Sequence, residues 1–224
     1  MNEKKIWTFL IGKIGNPIGV AGLMGNLYAE SALNPRNLQN SYERKLRVTD
    51  DGYTEAVDSG KYSAQSFAYD SAGYGIAQWT YRTRKKKLLK FAKARGSSIG
   101  DLDMQLDFLW MELQGNKGLL KTLCEARSVR KASDAVLTQY ERPANQSDSV
   151  KQKRAKFGQR YYDQFCTGTE TDGGKNMAKL KTEPIEQYEV EDAYDVPEDT
   201  VFVLDENGNP VRMEVPDDVD DDQT

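Results

Sequence analysis

No histidine occurs anywhere in the 224 residues, and cysteine occurs only as Cys124 and Cys166. Without an imidazole, the Ser-His-Asp and Cys-His nucleophile systems are excluded, together with every metal site that needs one. Two distant cysteines in no CxxC pattern also exclude a Cys-rich zinc site and a disulfide framework. Cys124 sits among Leu119, Leu120 and Leu123 and reads as a buried free thiol acting as a small hydrophobe. Any hydrolysis in such a chain must run on carboxylates, on a lysine or tyrosine, or not at all. Long apolar runs are missing too, and nothing approaches the ~18 residues that a membrane span needs. The apolar run Ile6 to Gly12 follows two lysines as in a signal peptide, but Thr8 interrupts it and Lys13 follows with no small-residue cleavage site. The expectation is a soluble chain without an export signal.

Apolar residues make up only 38% of the chain and charged residues 29%, so part of it is expected to lack a core. The charge is unevenly placed. Residues 167 to 224 hold 18 acids against 4 bases, a net of −14, whereas residues 1 to 166 hold 17 acids against 27 bases, a net of +10. This division predicts a basic body over 1–166 and an acidic tail over 167–224. A basic body favours a polyanionic partner such as cell wall or nucleic acid, although no zinc-finger, RRM or basic-zipper signature is present to support the second. The tail has few apolar groups and is expected to be largely disordered. Its exception is 201–215, where Val201 to Leu204 and Val211 to Val215 flank Asn207-Gly208 in the pattern of a weak β-hairpin.

Periodicity in the body predicts helices. Residues 4 to 14 form one, ended by Gly15-Asn16. Pro17 opens a second, in which Ile18, Val20, Leu23, Met24, Leu27 and Tyr28 recur at helical spacing until Asn34-Pro35 stops it. Residues 36 to 72 are polar and predict loops with short helices near 41–47 and 53–58. From Thr80 the pattern is helical again: a basic segment, then the Leu102, Leu106, Leu109, Trp110 and Leu113 stripe, then 117–125, 129–140 and 147–165. In the last, Val150, Phe157, Tyr161 and Phe165 share a face. The fold class is mainly α, with at most a small hairpin in the irregular middle.

Two stretches carry the chemistry. Glu30 follows Leu23 and Leu27 at helical spacing and so leaves from the face they bury. A carboxyl at the inner end of an apolar face is desolvated and tends to keep its proton, the state a general acid needs. The second stretch is Asp70-Ser71-Ala72-Gly73-Tyr74-Gly75-Ile76-Ala77-Gln78-Trp79, where two glycines flank an aromatic ahead of a helix. Asp70 is placed to face the same cleft as Glu30. Tyr74, Trp79 and Tyr81 are stacking surfaces for sugars or, equally, core residues. Gln78 lies in an apolar run and needs partners if buried.

Glu30-Ser31-x-x-Asn34-Pro35 followed by Gly75-Ile76-Ala77-Gln78 resembles the signature of lysozyme-like muramidases and lytic transglycosylases. The closer resemblance is to the phage tail lysozyme family, which has four motifs in the order found here. They are Leu23-Met24-Gly25-Asn26-Leu27 running on to Asn37-Leu38-Gln39-Asn40-Ser41-Tyr42, the Asp70 to Trp79 turn, Tyr140-Glu141-Arg142-Pro143, and Tyr161-Tyr162. The resemblance spans residues 4 to 166. It implies a lysozyme-like helical domain that cuts the β-1,4 bond between N-acetylmuramic acid and N-acetylglucosamine in peptidoglycan, with Glu30 as general acid. Goose-type lysozymes carry an aspartate ahead of the matching turn, and that likeness implies Asp70 as the base that activates water. Ser31, Tyr74, Gln78, Trp79, Tyr81 and Tyr140 are the expected substrate contacts. Ala77 replaces the methionine of the turn motif, and the transglycosylase "AYNAG" motif is absent.

No cofactor or metal is expected, since a carboxylate pair suffices. Peptidoglycan glycan strands are the expected partner, with phage tail or mobile-element structural proteins as candidates for the acidic tail. Action at the wall, from a virion or after host lysis, follows from the resemblance. Two alternatives stay open: a lytic transglycosylase giving anhydro products, and a non-catalytic structural or basic binding module.

Overall fold

A computed structural model describes residues 2–167 and the backbone of two strands, 201–204 and 210–213. The body is helical throughout. Its elements are α1 (Asn2–Ile14), α2 (Pro17–Ser31), α3 (Asn40–Leu46), α4 (Asp50–Asp58), α5 (Ala64–Tyr69), α6 (Arg82–Ala94), α7 (Leu102–Gly115), α8 (Lys117–Cys124), α9 (Val129–Val136) and α10 (Asp148–Tyr162). Helices α9 and α10 each run on into a π-helical turn, Leu137–Glu141 and Asp163–Thr167.

Helix α2 is the spine. Asn16 caps it by accepting from the amides of Ile18 (2.9 Å) and Gly19 (3.3 Å), and Pro17 occupies the first turn, where its missing N–H costs nothing. The Asn16 amide group also donates to the carbonyls of Cys124 and Ala126, both at 2.9 Å, and so ties the start of α2 to the end of α8. Helices α8, α9 and α10 all pack against α2. They approach closely because α2 presents glycine to them: a Cβ on Gly25 would lie 2.5 Å from the Arg154 carbonyl and from the Gly158 amide. That crossing brings α10 over the C-terminal end of α2, where Glu30 sits.

The irregular middle wraps the other side of that end. Asp50 accepts from the Asn34 side chain (3.0 Å) and the Leu38 amide (2.8 Å), folding 34–38 back onto α4. Leu38, Tyr74 and Trp79 form two isolated antiparallel bridges around the glycine turn, the counterpart of the small hairpin expected there. Gln105 on α7 clamps this region by accepting from the Ile76 amide and donating to the carbonyls of Pro35 and Ile99.

Two expectations need correction, and one buried cation was not foreseen. Cys124 is exposed rather than buried, because the buried face of α8 is that of Leu119 and Leu123. The inward face of α10 is Arg154, Gly158 and Tyr161, whereas Phe157 is half-buried and packs edge-on against Tyr28. Lys85 is fully buried within a helix that reads as uniformly basic. In the C-terminal segment, β1 (Val201–Leu204) pairs antiparallel with β2 (Pro210–Met213), Val201 opposite Met213 and Leu204 opposite Pro210. The expected disorder of the tail, and the Asn-Gly turn, lie outside the described residues.

Candidate active site

An open cleft of about 660 Å³ lies beyond the C-terminal end of α2. Glu30 lines it together with Glu141 and Arg84. One rim is Asn37, Gln39, Asn40 and Ser41, and the other is Arg142, Pro143 and Ala144; Gln78, Thr80 and Tyr81 complete the wall. The lining is polar and amide-rich, suited to a hydroxylated, amide-bearing polymer more than to an apolar ligand.

Glu30 belongs to the last turn of α2, and the chain leaves that turn by a strained path. Ala32 (φ 51°) and Leu33 (φ 61°) both adopt left-handed backbone that side-chain-bearing residues avoid. The Arg154 guanidinium on α10 donates to the Glu30 carboxylate. Its other nitrogen reaches the Asn26 side-chain oxygen at 3.3 Å. Asn26 is itself fixed by donating to the Gly22 and Ser133 carbonyls and the Ser133 hydroxyl. The Glu30 side chain is one-fifth exposed, so it is neither sealed in the core nor free in solvent.

Glu141 occupies the last position of the π-helical turn, and Arg142 after it has positive φ (49°), which swings the Pro143 loop across the cleft. The Glu141 Oε1 is buried without a hydrogen-bond partner. Burial, and next the neighbouring Glu30 charge, push its carboxyl up to about 8, against the opposing pull of Arg84 and Arg154. Glu141 thus keeps its proton well above the ordinary carboxyl range.

Below the cleft, Glu112 on α7 gathers three residues. It accepts both nitrogens of the Arg84 fork at 2.8 Å, the Trp79 indole N–H at 2.8 Å and the Tyr140 hydroxyl at 2.6 Å. Arg84 also lies over the Tyr140 ring at 4.7 Å. The cluster holds the end of the Leu137–Glu141 turn through Tyr140, and Arg84 carries it to the cleft wall.

The residues expected at the substrate divide into two groups. Glu30, Gln78 and Tyr81 line the cleft, Tyr81 with 65% of its surface exposed. Gln78 has positive φ (44°) and donates to the Asn37 carbonyl and side chain, joining the wall to the rim. Ser31, Tyr74, Trp79 and Tyr140 do not line it. The Ser31 hydroxyl donates to the Leu27 and Ile76 carbonyls, Tyr74 is enclosed and bonds Thr54 at 2.6 Å, and Trp79 and Tyr140 are spent on Glu112.

Asp70 is not brought to Glu30 either. Its carboxylate accepts from Lys85 (2.5 Å), the Tyr53 hydroxyl (2.5 Å), the Tyr62 hydroxyl (3.3 Å) and the Ala72 amide (2.8 Å), and its side chain is only 6% exposed. Lys85 also donates to the Ala72 carbonyl and lies 4.3 Å from the Phe67 ring centroid. Burial lowers the Lys85 ammonium from its usual range, with Asp70 opposing.

Sequence reasoning gave no role to Arg154, and placed Glu141 only as part of the YERP motif. The YERP motif marked the place of Glu141; nothing in the sequence marked Arg154, a lone inward cation on a polar helix. Among the described residues no group of three or more Asp, Glu or Cys stands where it could hold a metal ion.

A helical body whose open, polar cleft is lined by two carboxyls has the layout of a lysozyme-like domain. The chain belongs to the phage tail lysozyme family, whose model matches residues 1–165. It is also similar to "Morphogenesis protein 1" of Bacillus phage B103, at 26% identity over 165 residues, or 70% of this chain. That stretch covers 38% of the relative's length. Membership in this family points to peptidoglycan-lytic activity.

Proposed function

We propose that the body is a peptidoglycan muramidase, cleaving the β-1,4 bond between N-acetylmuramic acid and N-acetylglucosamine with Glu30 as the residue acting on the glycosidic oxygen. The observation that carries this reading is that Glu30 lines the open, amide-rich cleft of a lysozyme-family body. A carboxyl placed there protonates the departing oxygen as its bond to the sugar breaks, and water completes the hydrolysis. The amide-rich rim suits the N-acetyl groups of the glycan. Tyr81, exposed at the wall, offers a face for a sugar ring. Asp70 serves as the anchor of the glycine turn through Lys85 rather than as the base.

The family and the phage relative support action at the bacterial wall as part of a phage particle or after release, with the acidic tail as the site for a structural partner. Purified wall should be digested with the appearance of new muramic reducing ends, and Glu30→Gln should digest it at least 100-fold more slowly. Undiminished digestion by that variant rules the assignment out. A lytic transglycosylase is the second reading, favoured by the absence of Asp70 from the cleft lining. In that reaction the sugar's own hydroxyl replaces water, and mass spectrometry would find products lighter by one water.

A further inference from the structure

Glu141 is a buried carboxyl that the assigned reaction does not yet use. It lines the same cleft as Glu30, and its Oε1 has no hydrogen-bond partner. The charged groups around it arrive from four helices. Glu30 comes from α2, Arg84 from α6, Glu112 from α7 and Arg154 from α10, and its own turn adds Tyr140 and Arg142. The two cations acting on it are already engaged. Glu112 takes both donors of the Arg84 fork, and Arg154 is divided between Glu30 and Asn26. Two carboxyls thus share a site whose paired cation is bound to only one of them. Like charges in one site disfavour each other's ionisation.

We propose that Glu30 and Glu141 act as one carboxyl pair holding a single proton, and that this proton is the one delivered to the glycosidic oxygen. The inference rests on the glycosidase reading and adds a second reacting group to it. Arg154 donates to Glu30, so the shared proton rests on Glu141 and reaches the glycosidic oxygen through Glu30, the residue that acts on it. The pair gives up its proton as the bond from the anomeric carbon to oxygen breaks, the electron pair going to that oxygen. Water adds to the anomeric carbon and releases a proton that restores the pair. The proton that drives the reaction stays in the site at neutral pH because burial and Glu30 disfavour ionisation of Glu141. A pair of this kind titrates as a unit, so its apparent value belongs to both groups.

The test has two arms. In the full-length wild-type protein, carbon-13 NMR of labelled glutamate side chains should show one carboxyl titrating near pH 8, and Glu30→Gln should move it downward. The absence of any glutamate titrating above pH 6 overturns the proposal. In the second arm, wall digestion is followed against pH for wild type, Glu141→Gln and Glu141→Asp. Wild type should lose activity on an alkaline limb near the NMR value. Glu141→Gln should move that limb down by more than one pH unit and lower kcat at pH 7 at least tenfold, with KM nearly unchanged. Glu141→Asp, which keeps a carboxyl, should restore part of the limb, and limbs superimposable on wild type in both variants overturn the proposal. If wild type does not digest wall at all, the muramidase reading fails instead, and the NMR arm still decides whether the pair exists.

Discussion

Arg154 crosses from α10 to Glu30 on α2, bridging 124 residues of sequence, and is the cation that holds this carboxylate in the cleft. It reaches Glu30 because Gly25 and Gly158 let the two helices meet backbone to backbone. The same guanidinium also acts on Glu141, whose carboxyl it pulls down against burial.

Replacing Arg154 by Met should therefore cost stability and activity together. Breaking a largely buried ion pair from one side costs about 3–5 kcal/mol, which thermal and urea unfolding would measure. Misplacement of Glu30 should lower kcat by about 100-fold. Arg154→Lys should recover only part of both, since a single ammonium cannot serve Asn26 and Glu30 as the guanidinium fork does.

Asp70→Asn separates a structural role from a chemical one. The substitution leaves Lys85 buried opposite an amide and should destabilise by about 3 kcal/mol or more. Activity per folded molecule, measured well below the melting temperature, should stay within about threefold of wild type. A loss near 1,000-fold with an intact fold would return Asp70 to the role of base.

The Glu141 carboxyl makes stability depend on pH in a stated direction. Its folded value, about 8, lies above the ordinary range near 4.5, so between these limits the folded state binds more protons than the unfolded chain. Stability contributed through this group is complete below about pH 4.5 and falls as pH rises to 8. Glu141→Gln should then be more stable than wild type at pH 8 by about 0.5–2 kcal/mol, with the gain vanishing toward pH 4.5. Melting temperatures of both proteins across that range check it.

Much of the body was legible in the sequence because its signals are local. Asn16-Pro17 and Asn34-Pro35 bracket α2, and the Leu102 to Leu113 stripe is α7. Helix α5 was not foreseen: it spans only six residues, too few for periodicity to register. Glu30 lines the cleft, and the sequence pointed it there because a helix face fixes the direction of its side chains. Asp70 was misplaced because adjacency to a turn fixes a position but not a direction, and the residue that claims it, Lys85, sits among six other basic residues on α6 that look no different. Tyr74 and Trp79 were open between sugar stacking and core, and burial decides for the core. Arg154 could not be found at all, since its partner comes from the other end of the body.

Residues 1–166 should fold without the rest of the chain. The last ring of the body, Phe165, stacks on Trp7 of α1 at 4.8 Å, so a cut after Cys166 keeps that contact. The truncated chain should melt cooperatively within a few degrees of the full-length protein. A cut before Tyr161 would remove this stack and the Tyr161 bond to Glu3, and should lower the midpoint clearly. Scanning calorimetry on the three lengths makes the comparison.

The two rims of the cleft are the link from Asn37 into the start of α3 and the short 142–144 connection, whereas the carboxyls between them hang from helices locked by glycine-to-backbone contacts. Such a division lets selectivity and reactivity change independently. Exchanging either connection for one of another length would retune which wall decorations are admitted, leaving the reactive centre as it is. An engineer seeking a new bacterial target would begin at these margins and leave the spine alone.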